Sequence, residues 1–286
     1  MPEVRFDAGL RALASTEPWR VVAENLGFTE GPVWRPDASL LFSDIPNSRI
    51  MRWQDGALAT FREPSGQSNG LTLDPAMRLV ACEHENRRVS IERDGAVHPL
   101  ATHFDGKRLN SPNDVVARND GRIFFTDPPY GITEDQRELP YNGVFTMAAD
   151  GAGLTLIADD FDRPNGLAFS PDERTLYIAD TARHHIRAFD VAPDGSLDNG
   201  RVFADVREEG RPDGMKVDRA GRLYVCATTV QVFAPDGAPL GVIDCPQLPA
   251  NCAWGEDGSM LFITARTGVY ATRVETAGIA PYLRGR

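Results

Sequence analysis

One pattern recurs six times along the 286-residue chain and limits the folds open to it. The segments read EGPVWRPDASLLFSD from Glu30, NGLTLDPAMRLVACE from Asn69, NDVVARNDGRIFFTD from Asn113, NGLAFSPDERTLYIAD from Asn165, DGMKVDRAGRLYVCA from Asp213 and NCAWGEDGSMLFIT from Asn251. Each is a polar residue, an apolar run, a turn, a second apolar run and a polar break. The starts are 39, 44, 52, 48 and 38 residues apart, a spacing that suits four-stranded propeller blades and exceeds most helical repeats.

The turns carry the residues that hairpins need: Pro36-Asp37, Asp74-Pro75, Asp120-Gly121, Pro171-Asp172, Ala220-Gly221 and Asp257-Gly258. A second turn follows in five units, at Asp55-Gly56, Asp94-Gly95, Asp150-Gly151, Asp194-Gly195 and Asp236-Gly237. Between the two lie third strands such as RIMRWQ, RVSIER and HIRAFDV, rich in β-branched and aromatic residues. No window keeps a helical period and prolines are scattered throughout, which disfavours α/β folds. The expectation is an all-β, six-bladed β-propeller with four-stranded blades around a central metal-binding channel. It forms one domain over residues 1–286, and WRVVAENL, inside the N-terminal segment 1–29, supplies a closing strand to the sixth blade.

Hydrophobic residues at 42% and charged residues at 25% supply enough apolar material for a full core. A net charge of -11 offers no basic surface for phosphates, so no nucleic-acid partner is expected. The N-terminus lacks a basic and apolar leader and no apolar run reaches membrane length, so the reading is cytoplasmic, with no membrane partner, as a monomer or weak homo-oligomer. The four cysteines lack paired metal-site spacing and read as free, mostly buried thiols.

Every repeat opens on a carboxylate or carboxamide: Glu30, Asn69, Asn113, Asn165, Asp213 and Asn251. In a propeller the first strand is innermost, so equivalent positions at its start surround one end of the channel. Asn and Asp also open turns by bonding local backbone, which is the plainer explanation for Asn69 or Asn251 taken alone. As a set they converge. Glu30 and Asp213 would repel in a narrow channel unless protonated or neutralised by a dication. Oxygen donors without His or Cys suit hard cations such as Ca²⁺, Mg²⁺ or Mn²⁺. His84, with Asp44, Asp127 and Asp180 at equivalent strand ends, is a candidate for lining a polar pocket on the same rim, although a turn or surface role is the plainer reading of each alone, while His184 and His185 face opposite ways and do not share an ion.

TEGPVW at Thr29–Trp34, LNSPNDVV at Leu109–Val116, FTDPPYG at Phe125–Gly131, PNGLAFSPD at Pro164–Asp172 and PDGMKVD at Pro212–Asp218 together resemble the senescence marker protein, gluconolactonase and regucalcin-like family, from about Phe28 to Thr272. The resemblance implies a metal-dependent sugar-lactone hydrolase, a gluconolactonase opening an aldonolactone to its acid. It places the metal on Glu30, Asn165 and Asp213, with Ca²⁺ foremost and Zn²⁺, Mn²⁺ or Mg²⁺ as other occupants, and gives Asn113 to the metal or the substrate. It assigns sugar binding to an arginine upstream of Asn113, for which Arg108 is the candidate. Asp213 is the expected general base. Other readings are a phosphotriesterase on the same ligand set, as in diisopropyl fluorophosphatase, a non-enzymatic calcium-binding propeller, or a metal-free propeller like strictosidine synthase, which the Glu30 and Asp213 pair disfavours.

Overall fold

The computed structural model describes residues 4–5, 8–15, 17–206 and 210–279. Six antiparallel sheets follow one another round a ring; the first four have four strands in sequence order from the axis outward, and the last two each take their outermost strand from the N-terminal segment. The first blade is Thr29–Trp34, Leu40–Asp44, Arg49–Gln54 and Ala57–Arg62. The innermost strands of the other five are Ser68–Leu73, Val115–Ala117, Pro164–Phe169, Met215–Val217 and Pro249–Gly255. Each innermost strand touches the innermost strands of both neighbouring blades, so the circle is closed. The third strands Arg49–Gln54, Arg88–Arg93 and His185–Val191 coincide with the runs RIMRWQ, RVSIER and HIRAFDV.

The turn chemistry explains the regularity. Gln54 pairs with Ala57 and Arg93 with Ala96, leaving two-residue loops whose right-handed twist demands positive φ at both positions. Asp55 and Gly56 sit at φ 50° and 81°, Asp94 and Gly95 at 52° and 74°. No α-helix occurs among the described residues; short 3-10 turns lie at Leu10–Ala12, Ile45–Asn47 and Glu134–Gln136. No described helix is long and apolar enough to cross a membrane.

The hydrophobic interior is divided among the blade junctions rather than gathered at the axis. Six clusters of buried side chains fill the six interfaces. Aromatic pairs brace several of them: Trp34 stacks on Phe262 at 5.1 Å between the sixth and first blades, and Tyr224 meets Trp254 edge-on at 5.0 Å between the fifth and sixth. Free Cys82, Cys226 and Cys252 are buried and behave as small apolar groups there.

The circle is joined by chain ends. Arg20–Ala23 pairs antiparallel with Gly268–Arg273, making the outermost strand of the sixth blade from the N-terminal segment. Val22 and Ala23 enter the apolar cluster between the sixth and first blades. Val4–Arg5 adds a fifth strand to the edge of the fifth blade.

Three of the strand-end carboxylates take a role in this scaffold rather than in a pocket. Asp44 accepts from the backbone N–H of Gly27 at 2.9 Å and of Phe28 at 3.4 Å. Asp127 accepts from Asn110 and Ser111 at 2.7 and 2.8 Å, and Asp180 from Asp162 and Arg163 at 2.9 and 3.0 Å. Each thus clamps the chain just before the innermost strand of its own blade. All three side chains are fully buried, which fits the turn role of the two readings and not the pocket-lining one. A second-strand carboxylate is the nearest acceptor for the N–H groups that the inter-blade connection leaves unpaired.

Candidate metal and substrate site

The six repeat-opening residues do converge. Glu30, Asn69, Asn113, Asn165 and Asn251 are buried, and Asp213 is partly exposed in the channel mouth. Hydroxyls on second strands hold ring residues of the next blade: Ser43 donates to the Asn69 carbonyl at 2.7 Å and Thr126 to that of Asn165 at 2.8 Å. Glycine after the ring residue lets neighbouring strands close in. A Cβ on Gly166 would lie 2.2 Å from the Asp213 carbonyl, and one on Gly214 2.0 Å from the Asn251 side chain.

The carboxamides form a directional chain. Asn69 Nδ2 donates to Asn113 Oδ1 at 2.6 Å, Asn113 Nδ2 to Asn165 Oδ1 at 2.6 Å, and Asn165 Nδ2 to Thr181 Oγ1 at 3.0 Å. Thr181 in turn donates to the Pro212 carbonyl at 2.7 Å, next to Asp213. His84 Nε2 lies 3.3 Å from Asn69 Nδ2, and an amide nitrogen only donates, so that ring nitrogen carries its lone pair. His84 therefore belongs to the rim, as its place in the second repeat suggested, but acts on Asn69 within the ring. With the amide nitrogens committed to neighbours, oxygen is the donor atom left for the channel.

On the other side, Glu30 Oε2 accepts from Gly31 N–H and, at 3.0 Å, from Asn251 Nδ2. Asn251 Nδ2 also lies 3.4 Å from Asp114 Oδ2. Asp114 is a third buried carboxylate of the channel, and reading the repeats only at their first position misses it. Its signal was present: four repeats continue with glycine after the ring residue, while the third puts a charge there. Lys216, from the same strand region as Asp213, brings a cation to this group and donates to Asn251 Oδ1 at 3.3 Å.

The electrostatics are those of crowded carboxylates. Burial, then the charges of Asp213 and Asp114, hold Glu30 well above the usual carboxylate range. Burial and the Asp114 charge push Asp213 up to about 7, against the lowering effect of a hydrogen bond from Asn165. Asp114 is raised by burial, with Lys216 opposing. A cation among these oxygens offsets the cost of burying all three and the repulsion that adds to it at Glu30 and Asp213. Among the described residues no group of three or more His, Cys, Asp or Glu side chains is placed to hold a metal. Two carboxylates and an asparagine fit a hard dication.

The site opens to one face. Val33, Leu71, Val116, Phe169, Trp254 and Ile279 line the other half of the channel around a cavity of about 50 Å³. On the open face Tyr130, 40% exposed, puts its hydroxyl 3.5 Å from Asn165 Nδ2, with the Arg163 guanidinium 5.5 Å from its ring centre. Arg108 lies on a two-stranded hairpin with His103–Phe104; its side chain donates to the Asn86 carbonyl at 3.2 Å and its N–H to Glu138 at 2.8 Å. His184 Nδ1 lies 3.1 Å from the Gly210 carbonyl.

The chain is similar to known proteins over nearly all of its length. Residues 28–267 match the model of the SMP-30/Gluconolactonase/LRE-like region. The chain is 36% identical to a gluconolactonase of Zymomonas mobilis over 96% of its length and 86% of the relative's. It is 28% identical to a pentonolactonase of Haloferax volcanii, over 87% and 85% of the two chains. The solved gluconolactonase of Xanthomonas campestris superimposes with a TM-score of 0.88 at 37% identity, covering 96% of this chain and 94% of that one. With the family model matched over residues 28–267 and 36% identity to a gluconolactonase across nearly the whole chain, the chain belongs to the SMP-30/gluconolactonase/LRE-like family.

Proposed function

We propose that this protein hydrolyses a sugar lactone, opening an aldonolactone such as gluconolactone to the aldonic acid, with one divalent cation in the channel. The observation that carries the reading is the meeting of Glu30, Asp114 and Asp213 inside a ring of asparagines that opens to one face. Similarity to a gluconolactonase and to a pentonolactonase supports the substrate class. Glu30, Asn165 and Asp213 would hold the ion, with Ca²⁺ the first expectation. When bound, such an ion polarises the lactone carbonyl and stabilises charge that develops on its oxygen.

The chain's own groups supply the rest. Asp213, partly open to the channel, takes a proton from water as the water oxygen bonds to the carbonyl carbon. The ring C–O bond then breaks, and the same proton passes to the departing oxygen, leaving a carboxylic acid and a free hydroxyl. Asn113 orients the lactone. Asn69 and His84 hold that amide in place. Tyr130 and Thr181, beside Asn165, border the space where sugar hydroxyls arrive.

The test compares Asp213→Asn with Asn69→Ala in gluconolactone hydrolysis, corrected for the spontaneous rate. Loss of the base should lower kcat at least about a hundredfold. Asn69→Ala should cost far less, because it removes a neighbour of Asn113 and no proposed ligand. Equal losses, or a folded Asp213→Asn protein with normal kcat, refute the assignment of the base.

A further inference from the structure

We infer that Lys216 matches the channel to a divalent charge, acting through Asn251 and Asp114 as a positioning residue for the cation site; this rests on the metal reading above. The channel end holds three carboxylates, Glu30, Asp114 and Asp213, and one ammonium, Lys216. Their formal sum is two negative charges, which one dication neutralises. Without Lys216 the same oxygens would favour a more highly charged ion, since each added unit of ionic charge gains more from a more negative site.

The geometry gives Lys216 a second effect on the same site. Its Nζ donates to Asn251 Oδ1 at 3.3 Å and to the Met215 carbonyl at 3.0 Å. Asn251 Oδ1 also accepts from Cys252 N–H at 2.9 Å. Two donors on its oxygen fix which way this amide faces, so its Nδ2 must point to Glu30 Oε2 at 3.0 Å and Asp114 Oδ2 at 3.4 Å. The hydrogen bonds found on Glu30 thereby fall on Oε2, and Oε1 is left for the channel. Asn251 reaches this position because Gly214 has no side chain to block it. Lys216 thus acts one layer behind Glu30.

The discriminating measurement is binding of Ca²⁺ and La³⁺ to metal-stripped protein by isothermal titration calorimetry, comparing wild type with Lys216→Met and Lys216→Arg. Two ions of similar size but different charge separate electrostatics from fit. Lys216→Met should raise the ratio of La³⁺ to Ca²⁺ affinity at least about tenfold. Lys216→Arg, which keeps the charge, should stay within about threefold of wild type. If Lys216→Met does not fold, Lys216→Gln carries the same expectation with a polar side chain. An unchanged ratio in the neutral variant overturns the inference while leaving the metal reading intact. A wild-type protein that binds neither ion overturns both.

Discussion

At His84, burial decides the charge state. The side chain is 7% exposed, and desolvation pushes it down to about 4, outweighing the opposing effect of the Asn113 side-chain oxygen, which would accept from the protonated ring. The unfolded histidine titrates near 6.5, so between these values the unfolded chain takes a proton that the fold refuses. Stability from this group is complete above about pH 6.5 and falls as the pH drops towards 4, by as much as about 3 kcal/mol. His84→Gln, whose amide oxygen can still accept from Asn69, should lose that slope. Urea denaturation at pH 7.5 and 4.5 gives the comparison: the wild type should lose about 2–3 kcal/mol more than the variant. Equal losses would mean that His84 is charged or solvated in the fold. The same residue scale shows what could be read in advance. Glu30, Asn165 and Asp213 were legible because they open repeats, and Asp114 shows as the charge that stands where four repeats have glycine, whereas Lys216 matters through Asn251 of another blade, which no local pattern reveals.

Blades were legible because each strand boundary carries its own turn chemistry. Asp55-Gly56 and Asp94-Gly95 form two-residue hairpins, while Asp150-Gly151, Asp194-Gly195 and Asp236-Gly237 lie in longer turns that use positive φ at glycine alone, and the strands between them follow. The two-stranded hairpin ending in Lys107–Arg108 falls within a connection and carries no repeat signal, so the arginine's place beside Asn86 could not be foreseen. Closure is the element-scale test. The strand Arg20–Ala23 joins the first and last blades, with Val22 8% exposed in their shared core and Val21 pointing outward at 55%. Val22→Asp would bury a charge without a partner and should cost about 3 kcal/mol, whereas Val21→Asp should change stability by less than about 0.5 kcal/mol. Chemical denaturation of the two variants measures the difference. Similar behaviour would show that the closing strand contributes no inward face.

For the whole molecule, the ring of blades places its least favourable charges at the axis, and a bound cation should therefore stabilise the entire fold. Asp213 is held at about 7 in the cation-free protein, against 3.8 for an ordinary aspartate, and Glu30 is also raised. The fold then retains protons that the unfolded chain releases. That contribution is fully present below about pH 4 and is lost as the pH rises through about 7. A dication replaces the protons, so its benefit should grow over the same interval. At a concentration near 100 times Kd, the linkage amounts to about 2.7 kcal/mol, or roughly 5–10 °C in Tm for a chain of this size. Chelator-treated protein melted with and without Ca²⁺ should show a larger shift at pH 8 than at pH 5. Glu30→Gln, which removes one proposed ligand and one of the repelling charges, should melt at a similar temperature with or without the ion. A shift that is independent of pH, or that survives in Glu30→Gln, would place the stabilising cation outside the channel.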